Sequence, residues 1–156
     1  MKTLKTITTA TFKMDVGDIT FRLFDETPIQ TTTFIMHAKS GNFKGMDFFR
    51  VEPGFIIQSG PKEGTAGGSM WDEIEPPRRI KDNNTHFFGI LSAANAGSPN
   101  SSIGGYFICV GGRHNVSFLD KKYTSFGHIM SGWEYIEKIE KGDIVNDVII
   151  NTYTLN

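Results

Sequence analysis

Strict alternation opens the chain. Ala10, Phe12 and Met14 share one face of an extended segment, with Thr9, Thr11 and Lys13 on the other. After Asp15-Val16-Gly17-Asp18 the alternation resumes, with Ile19, Phe21 and Leu23 set against Thr20 and Arg22. Period two on both sides of a glycine-bearing turn predicts a hairpin with one face in the core. A helix follows, with Thr27 as its cap, Pro28 at the first helical position and Gly41 as its end. Within it Ile29, Thr33 and Met36, and likewise Thr32 and Ile35, recur at helical spacing, and Phe34 adds bulk. A second helix is predicted from about Ser131 to Lys141, stopped by Gly142. Trp133, Ile136, Ile139 and Glu140 are spaced for one face, and Trp133 and Ile136 are expected in the core.

Between the helices lie short apolar runs broken by Gly, Pro and Asn. They predict strands at Phe48–Val51, Phe55–Gln58, Gly89–Ala93, Tyr106–Cys109, Ser125–Met130 and Val148–Thr154. With the opening hairpin this makes about eight strands and two helices. The expected fold class is mainly β: a closed eight-stranded antiparallel β-barrel capped by two α-helices, since closure removes exposed edges. No repeat, low-complexity tract or linker interrupts the 156 residues, so residues 1–156 are read as a single domain.

Composition narrows the function. Aromatic residues make up 12 %, with 13 Phe, enough for a real core. A net charge of −1 offers no basic face for a phosphate backbone, so nucleic acid is not an expected partner. Lys2 and Lys5 are not followed by the apolar stretch of a signal peptide, and no run approaches the roughly 20 apolar residues of a membrane span. The expectation is a cytoplasmic protein without a membrane partner, with the nucleus equally open. Asn-x-Ser/Thr triplets at Asn83, Asn100 and Asn115 read as chance matches in that setting. The single cysteine, Cys109, sits in the apolar run Tyr106–Val110 and reads as a buried structural thiol.

Four segments carry a resemblance. Phe48-Phe49-Arg50-Val51-Glu52-Pro53-Gly54-Phe55-Ile56-Ile57-Gln58-Ser59-Gly60 is followed by Gly64-Thr65-Ala66-Gly67-Gly68-Ser69-Met70-Trp71. Then come Gly89-Ile90-Leu91-Ser92-Ala93-Ala94-Asn95-Ala96-Gly97 with Tyr106-Phe107-Ile108, and Phe118-Leu119-Asp120 with Phe126-Gly127. In order and at nearly the same spacing, they resemble the cyclophilin-type peptidyl-prolyl cis/trans isomerases, with this chain as a divergent member. The resemblance covers nearly the whole chain and implies the barrel already expected from the strand count, with the site on its outer face. It implies Arg50, Gln58 and Asn95 as the catalytic set: Arg50 as the donor, Gln58 orienting it, and Asn95 with Ala94 on the backbone edge that pairs with substrate. Phe55, Ile56, Phe107, Phe118, Leu119 and Tyr123 are implied as the substrate-binding surface.

Those residue types suit the reaction. Rotation about an X–Pro amide meets a barrier of about 18–20 kcal/mol from C–N double-bond character. Both isomers lie within about 1 kcal/mol of each other. No acid, base, nucleophile, metal or cofactor is called for; the protein must bind the twisted amide better than either planar form. An apolar pocket for the proline ring and a fixed donor near the amide meet that need, and arginine is a permanently charged fork of donors. Proline-containing peptides or proteins are the expected partners, acting on a monomer. Against the family pattern Phe49 replaces a histidine, Ile56 a methionine, Gly105 a glutamine, Phe118 a tryptophan and Tyr123 a histidine. The lost polar contacts predict slower turnover and only weak binding of cyclosporin, which the family's tryptophan bonds.

The alternative reading is a module of the same fold that docks proline-containing segments with little or no turnover. Other chemistries find less support. His37, His86, His114 and His128 lack metal-ligand spacing, and His86 and His114 read as loop residues. A Cys109/His114 thiol enzyme conflicts with a buried thiol. Gly64–Gly68 lacks the Lys-Ser/Thr ending of a phosphate loop. The charged stretch from Asp72 to Lys81 reads as a solvated loop.

Overall fold

The computed structural model describes residues 5–65, 85–97 and 104–155. Ten strands and three helical segments follow in the order β1 (Lys5–Met14), β2 (Gly17–Leu23), α1 (Pro28–Lys39), β3 (Met46–Asp47), β4 (Arg50–Glu52), β5 (Ile56–Ser59), β6 (Ile90–Ala93), β7 (Tyr106–Cys109), α2 (Arg113–Val116), β8 (Ser125–Ser131), α3 (Trp133–Ile136), β9 (Ile144–Val145) and β10 (Asp147–Leu155). A 3₁₀ turn, Ser117–Leu119, follows α2. Eight strands form one antiparallel sheet in the order β10-β1-β2-β8-β6-β7-β5-β4, and β3 pairs with β9. The class is mainly β, as expected. Closure is not part of the ladder: among the described residues β10 and β4 are its two ends. The β3–β9 pair bridges them, because β3 leads into β4 and β9 into β10.

Register decides which residues reach the core. Partners across an antiparallel pair point to the same face, and successive residues to opposite faces. One row runs Val51, Ile57, Ile108 and Leu91 across β4, β5, β7 and β6, and packs inward. The adjacent row runs Arg50, Gln58, Phe107 and Ser92, and faces the other way. β7 is buried at all four positions because both of its faces are covered. On the inner face Phe34, Phe12, Phe43, Phe126 and Tyr106 pack with ring centroids 4.9–6.1 Å apart. Such edge and tilted contacts add about 0.5–1.5 kcal/mol per pair beyond area burial.

Two helix expectations are corrected. In α1 the buried face is Gln30, Thr31, Phe34, His37 and Ala38, while Ile29 and Met36 are exposed. Phe34 fixes the rotation by entering the aromatic cluster, and the polar residues beside it are satisfied locally. The Thr31 hydroxyl donates to the Phe24 carbonyl (2.8 Å), and the Asn42 amide lies 3.0 Å from His37 Nδ1. The second helix is one turn, α3, continued by 3₁₀-type bonds from Lys138 and Ile139. Gly132 has φ 91°, so Ser131 stays in β8 and no helix can start before Trp133. A Cβ on Gly132 would also collide with the Asp18 carbonyl oxygen. Ile136 is buried as expected, and Ile139 with it, but Trp133 is 54 % exposed and not in the core.

Burial holds His37 and His128 below the ordinary imidazole value of 6.5. The unfolded chain therefore takes up protons that the fold resists. The stabilisation is fully present above pH 6.5 and is lost as the pH falls below it. Thermal melts between pH 7.5 and 5.5 should show Tm falling on acidification, with a shallower slope for His37→Gln. Equal slopes for the two proteins would contradict the assignment to His37.

Candidate active site

β4 and β5 place Arg50 directly opposite Gln58, and β7 sets Phe107 opposite Gln58 on the same face. Ile56, two positions before Gln58 on β5, shares that face and packs with Phe107 and Leu119 in a second apolar cluster. Phe55, Ala94 and Tyr123 pack around that cluster. The result is an open groove of about 360 Å³ lined by Arg50, Phe55, Ile56, Gln58, Ala94, Asn95, Phe107, Phe118, Leu119 and Tyr123. Every site residue expected from the sequence is among them. The floor is buried, at Ile56, Phe107 and Leu119, whereas Phe118 on the rim is 56 % exposed.

Aromatic geometry shapes the walls. Tyr123 stands perpendicular to Phe107, with centroids 5.4 Å apart. Phe118 stacks on Phe55 at 5.6 Å, and the Arg50 guanidinium lies 5.9 Å from the Phe55 centroid. Phe55 is fixed by its own backbone. Its carbonyl accepts from the N–H groups of Val110 (2.9 Å) and Gly111 (3.2 Å). The turn before it needs glycine twice. Gly54 has φ 72°, and a Cβ on Gly111 would collide with the Gly54 carbonyl oxygen. The Asn115 amide also donates to that carbonyl (3.0 Å).

Arg50 is held at its polar edges. Its Nε and one terminal nitrogen donate to Glu52 Oε1 at 3.2 and 3.1 Å, and the other terminal nitrogen to Gln58 Oε1 at a longer 3.4 Å. Glu52 is a contact that sequence reasoning missed, because it falls on a variable position of the motif. The signal was present: residues two apart on a strand share a face, and Arg-x-Glu puts opposite charges there. Asn95 spends its side chain on two backbone groups, one in its own loop and one in the segment before Tyr123. Its amide donates to the Lys122 carbonyl (3.1 Å), and its oxygen accepts from the Gly97 N–H (2.9 Å). That clamp joins the Ala94–Asn95 edge to the segment carrying Tyr123.

Behind the groove wall lies a polar cluster the sequence did not disclose. His86 lies in a loop, as expected, yet is fully buried, and its ring stacks on Phe107 at 5.9 Å. Its Nε2 lies 2.8 Å from Ser92 Oγ and its Nδ1 3.2 Å from Asp120 Oδ1. The His86 backbone N–H donates to the same Asp120 oxygen (2.7 Å), and Arg113 bridges the other Asp120 oxygen and the His86 carbonyl. Burial alone would raise the Asp120 pKa; the donors from Arg113 and His86 overcome that and hold it below the usual value. His114, the other expected loop histidine, lies exposed in α2. Cys109 is buried, and burial with the nearby Asp120 charge pushes its thiol up to about 12, leaving it unreactive at neutral pH. Among the described residues no three His, Cys, Asp or Glu side chains gather to hold a metal. Most of the Gly64–Trp71 segment lies outside the described residues, as do the loop from Ser98 to Ile103 and the charged stretch from Asp72 to Lys81.

Residues 6–155 match the family described as cyclophilin type peptidyl-prolyl cis-trans isomerase/CLD. A peptidyl-prolyl cis-trans isomerase of Helicobacter pylori is 33 % identical over 151 residues, covering 92 % of this chain and 86 % of that protein. The human peptidyl-prolyl cis-trans isomerase-like 3 is 34 % identical over 159 residues, covering 94 % of each. A Cryptosporidium parvum cyclophilin type peptidyl-prolyl cis-trans isomerase, crystallised in the presence of the dipeptide Ala-Pro, superposes with a TM-score of 0.74. It is 28 % identical, and the match covers 92 % of this chain and 98 % of that one.

Replacing Asp120 with alanine leaves the buried His86 N–H without its acceptor, at a cost of about 1–3 kcal/mol. Thermal unfolding of Asp120→Ala should show a Tm lower by roughly 2–12 °C, at about 2–4 °C per kcal/mol. An unchanged Tm would mean that the cluster does not brace the wall.

Proposed function

The chain belongs to the cyclophilin-type peptidyl-prolyl cis-trans isomerase family, and from that premise we propose how its own groove performs the isomerisation. The reading rests chiefly on one observation: Arg50 stands at the rim of an apolar floor made by Ile56, Phe107 and Leu119. The proline ring is held on that floor with Tyr123 as side wall, while the residue before it rotates. Ala94 and Asn95 present a backbone edge to the extended chain, a common way to hold a peptide. Arg50 donates to the proline nitrogen, withdraws its lone pair from amide resonance, and stabilises the twisted state over both planar ones. The relative crystallised in the presence of Ala-Pro supports proline-containing peptides as the ligand class. We also read the bridged eight-stranded sheet as the family's barrel, closed where β3–β9 ties its ends.

At Gly105 and Phe118 this chain lacks the amide and indole donors that the family pattern places there. Turnover is accordingly slower than in members that carry both. The floor and Arg50 are intact, which favours catalysis over simple docking.

Two measurements test this. Prolyl exchange in a short X–Pro peptide, by NMR or a protease-coupled assay, should be accelerated by the wild type. Arg50→Ala should lower kcat/KM by about a hundredfold, the usual scale for one removed transition-state donor. Peptide bound without acceleration by the wild type would replace catalysis with docking. Cyclosporin should bind weakly, and Phe118→Trp should tighten it by about 2- to 10-fold, the worth of one recovered hydrogen bond. Tight binding to the wild type, unchanged in Phe118→Trp, would refute the role given to position 118.

A further inference from the structure

Glu52 is the nearest polar partner of Arg50. One of its oxygens accepts from both Nε and a terminal nitrogen at 3.2 and 3.1 Å, against 3.4 Å for the single bond to Gln58. Both residues sit on β4, two apart, so the strand sets their spacing. The Phe55 ring lies 5.9 Å from the guanidinium, and Phe118 stacks on that ring. Glu52 thus holds the Nε edge of the guanidinium, while the terminal nitrogens keep N–H groups for the groove.

We infer that Glu52 is the positioning residue for Arg50: it presets the guanidinium's orientation toward the rotating X–Pro amide. This deepens the proposed function and rests on Arg50 being the catalytic donor. Two effects of the carboxylate compete. Its negative charge damps the donor's field, and its bonds remove the freedom of a long, flexible side chain. Each side chain of the pair is 46 % exposed, so water screens the charge effect strongly. Orientation is not screened, and a preset donor needs no reorganisation as the amide twists. Orientation therefore dominates, and the benefit falls on the twisted state rather than on substrate binding.

The test compares Glu52→Ala, Glu52→Gln, Arg50→Ala and the double variant Arg50→Ala/Glu52→Ala on one X–Pro peptide. Glu52→Ala should lower kcat by about fivefold with KM within about twofold, the pattern of an interaction expressed in the transition state. Glu52→Gln keeps an acceptor oxygen without the charge and should recover most of that loss. In the Arg50→Ala background Glu52→Ala should change nothing further, since residues acting through one another are non-additive. The Arg50 Nε–H resonance should be protected from solvent exchange in the wild type and Glu52→Gln, and lose protection in Glu52→Ala. Unchanged or faster turnover by Glu52→Ala would overturn the inference, as would Glu52→Gln as slow as Glu52→Ala. Full activity in Arg50→Ala would instead remove the reading of Arg50 itself, a result distinct from failure at Glu52 alone.

Discussion

The pairing of β4, β5, β7 and β6 is the constraint on which the molecule depends. It sets Arg50, Gln58, Phe107 and Ser92 in one row and Val51, Ile57, Ile108 and Leu91 in the next. A slip of one residue would exchange the rows, placing a guanidinium in the aromatic core and four apolar side chains in the groove. The core and the site are therefore specified together. Burying Ile57 and Ile108 is what turns Arg50 and Phe107 outward.

The outer face needs support of its own, because no second sheet packs over its apolar floor. The 3₁₀ turn supplies Leu119, and the cluster of His86, Asp120, Arg113 and Ser92 braces Phe107 from behind. These polar groups satisfy one another, which makes their burial tolerable. The arrangement of Ser92, His86 and Asp120 has the composition of a hydrolytic triad. Ser92 and His86 are fully buried, however, and the Ser92 hydroxyl donates to the Thr124 carbonyl. The cluster therefore serves as masonry behind the wall, and the chemistry in front is left to rotation, which needs no nucleophile.

Much of this was legible in the sequence, for identifiable reasons. Period-two alternation located β1 and β2, and β7 was bounded at Tyr106–Cys109 from its apolar run alone. All ten groove residues were expected from the family resemblance, and they line one groove although the strands that carry them pair out of chain order. Three kinds of information were not legible. The rotation of α1 is set by Phe34 meeting residues far along the chain, so apolar spacing within the helix chose the wrong face. Gly132 looks like a helical residue until the Asp18 carbonyl beside it is known. His86 meets Asp120 across 34 positions, and no local pattern announces such a contact.

The departures from the family pattern are distributed unevenly, and the register explains why. Phe49 and Phe118 lie on exposed positions, where a new side chain meets water or a rim neighbour. Ile56 replaces methionine in the floor, a swap between apolar residues of similar size that a packed site tolerates. The row of Arg50, Gln58 and Phe107 carries no such change, because any change there must also satisfy the strands on either side. Rim substitutions can alter how tightly the donor is held and how strongly a ligand is gripped without touching the sheet. Glu52 fits that logic. It lies on the same strand face as Arg50 and bonds it directly, so a single exposed position adjusts the donor while the rows beneath stay fixed.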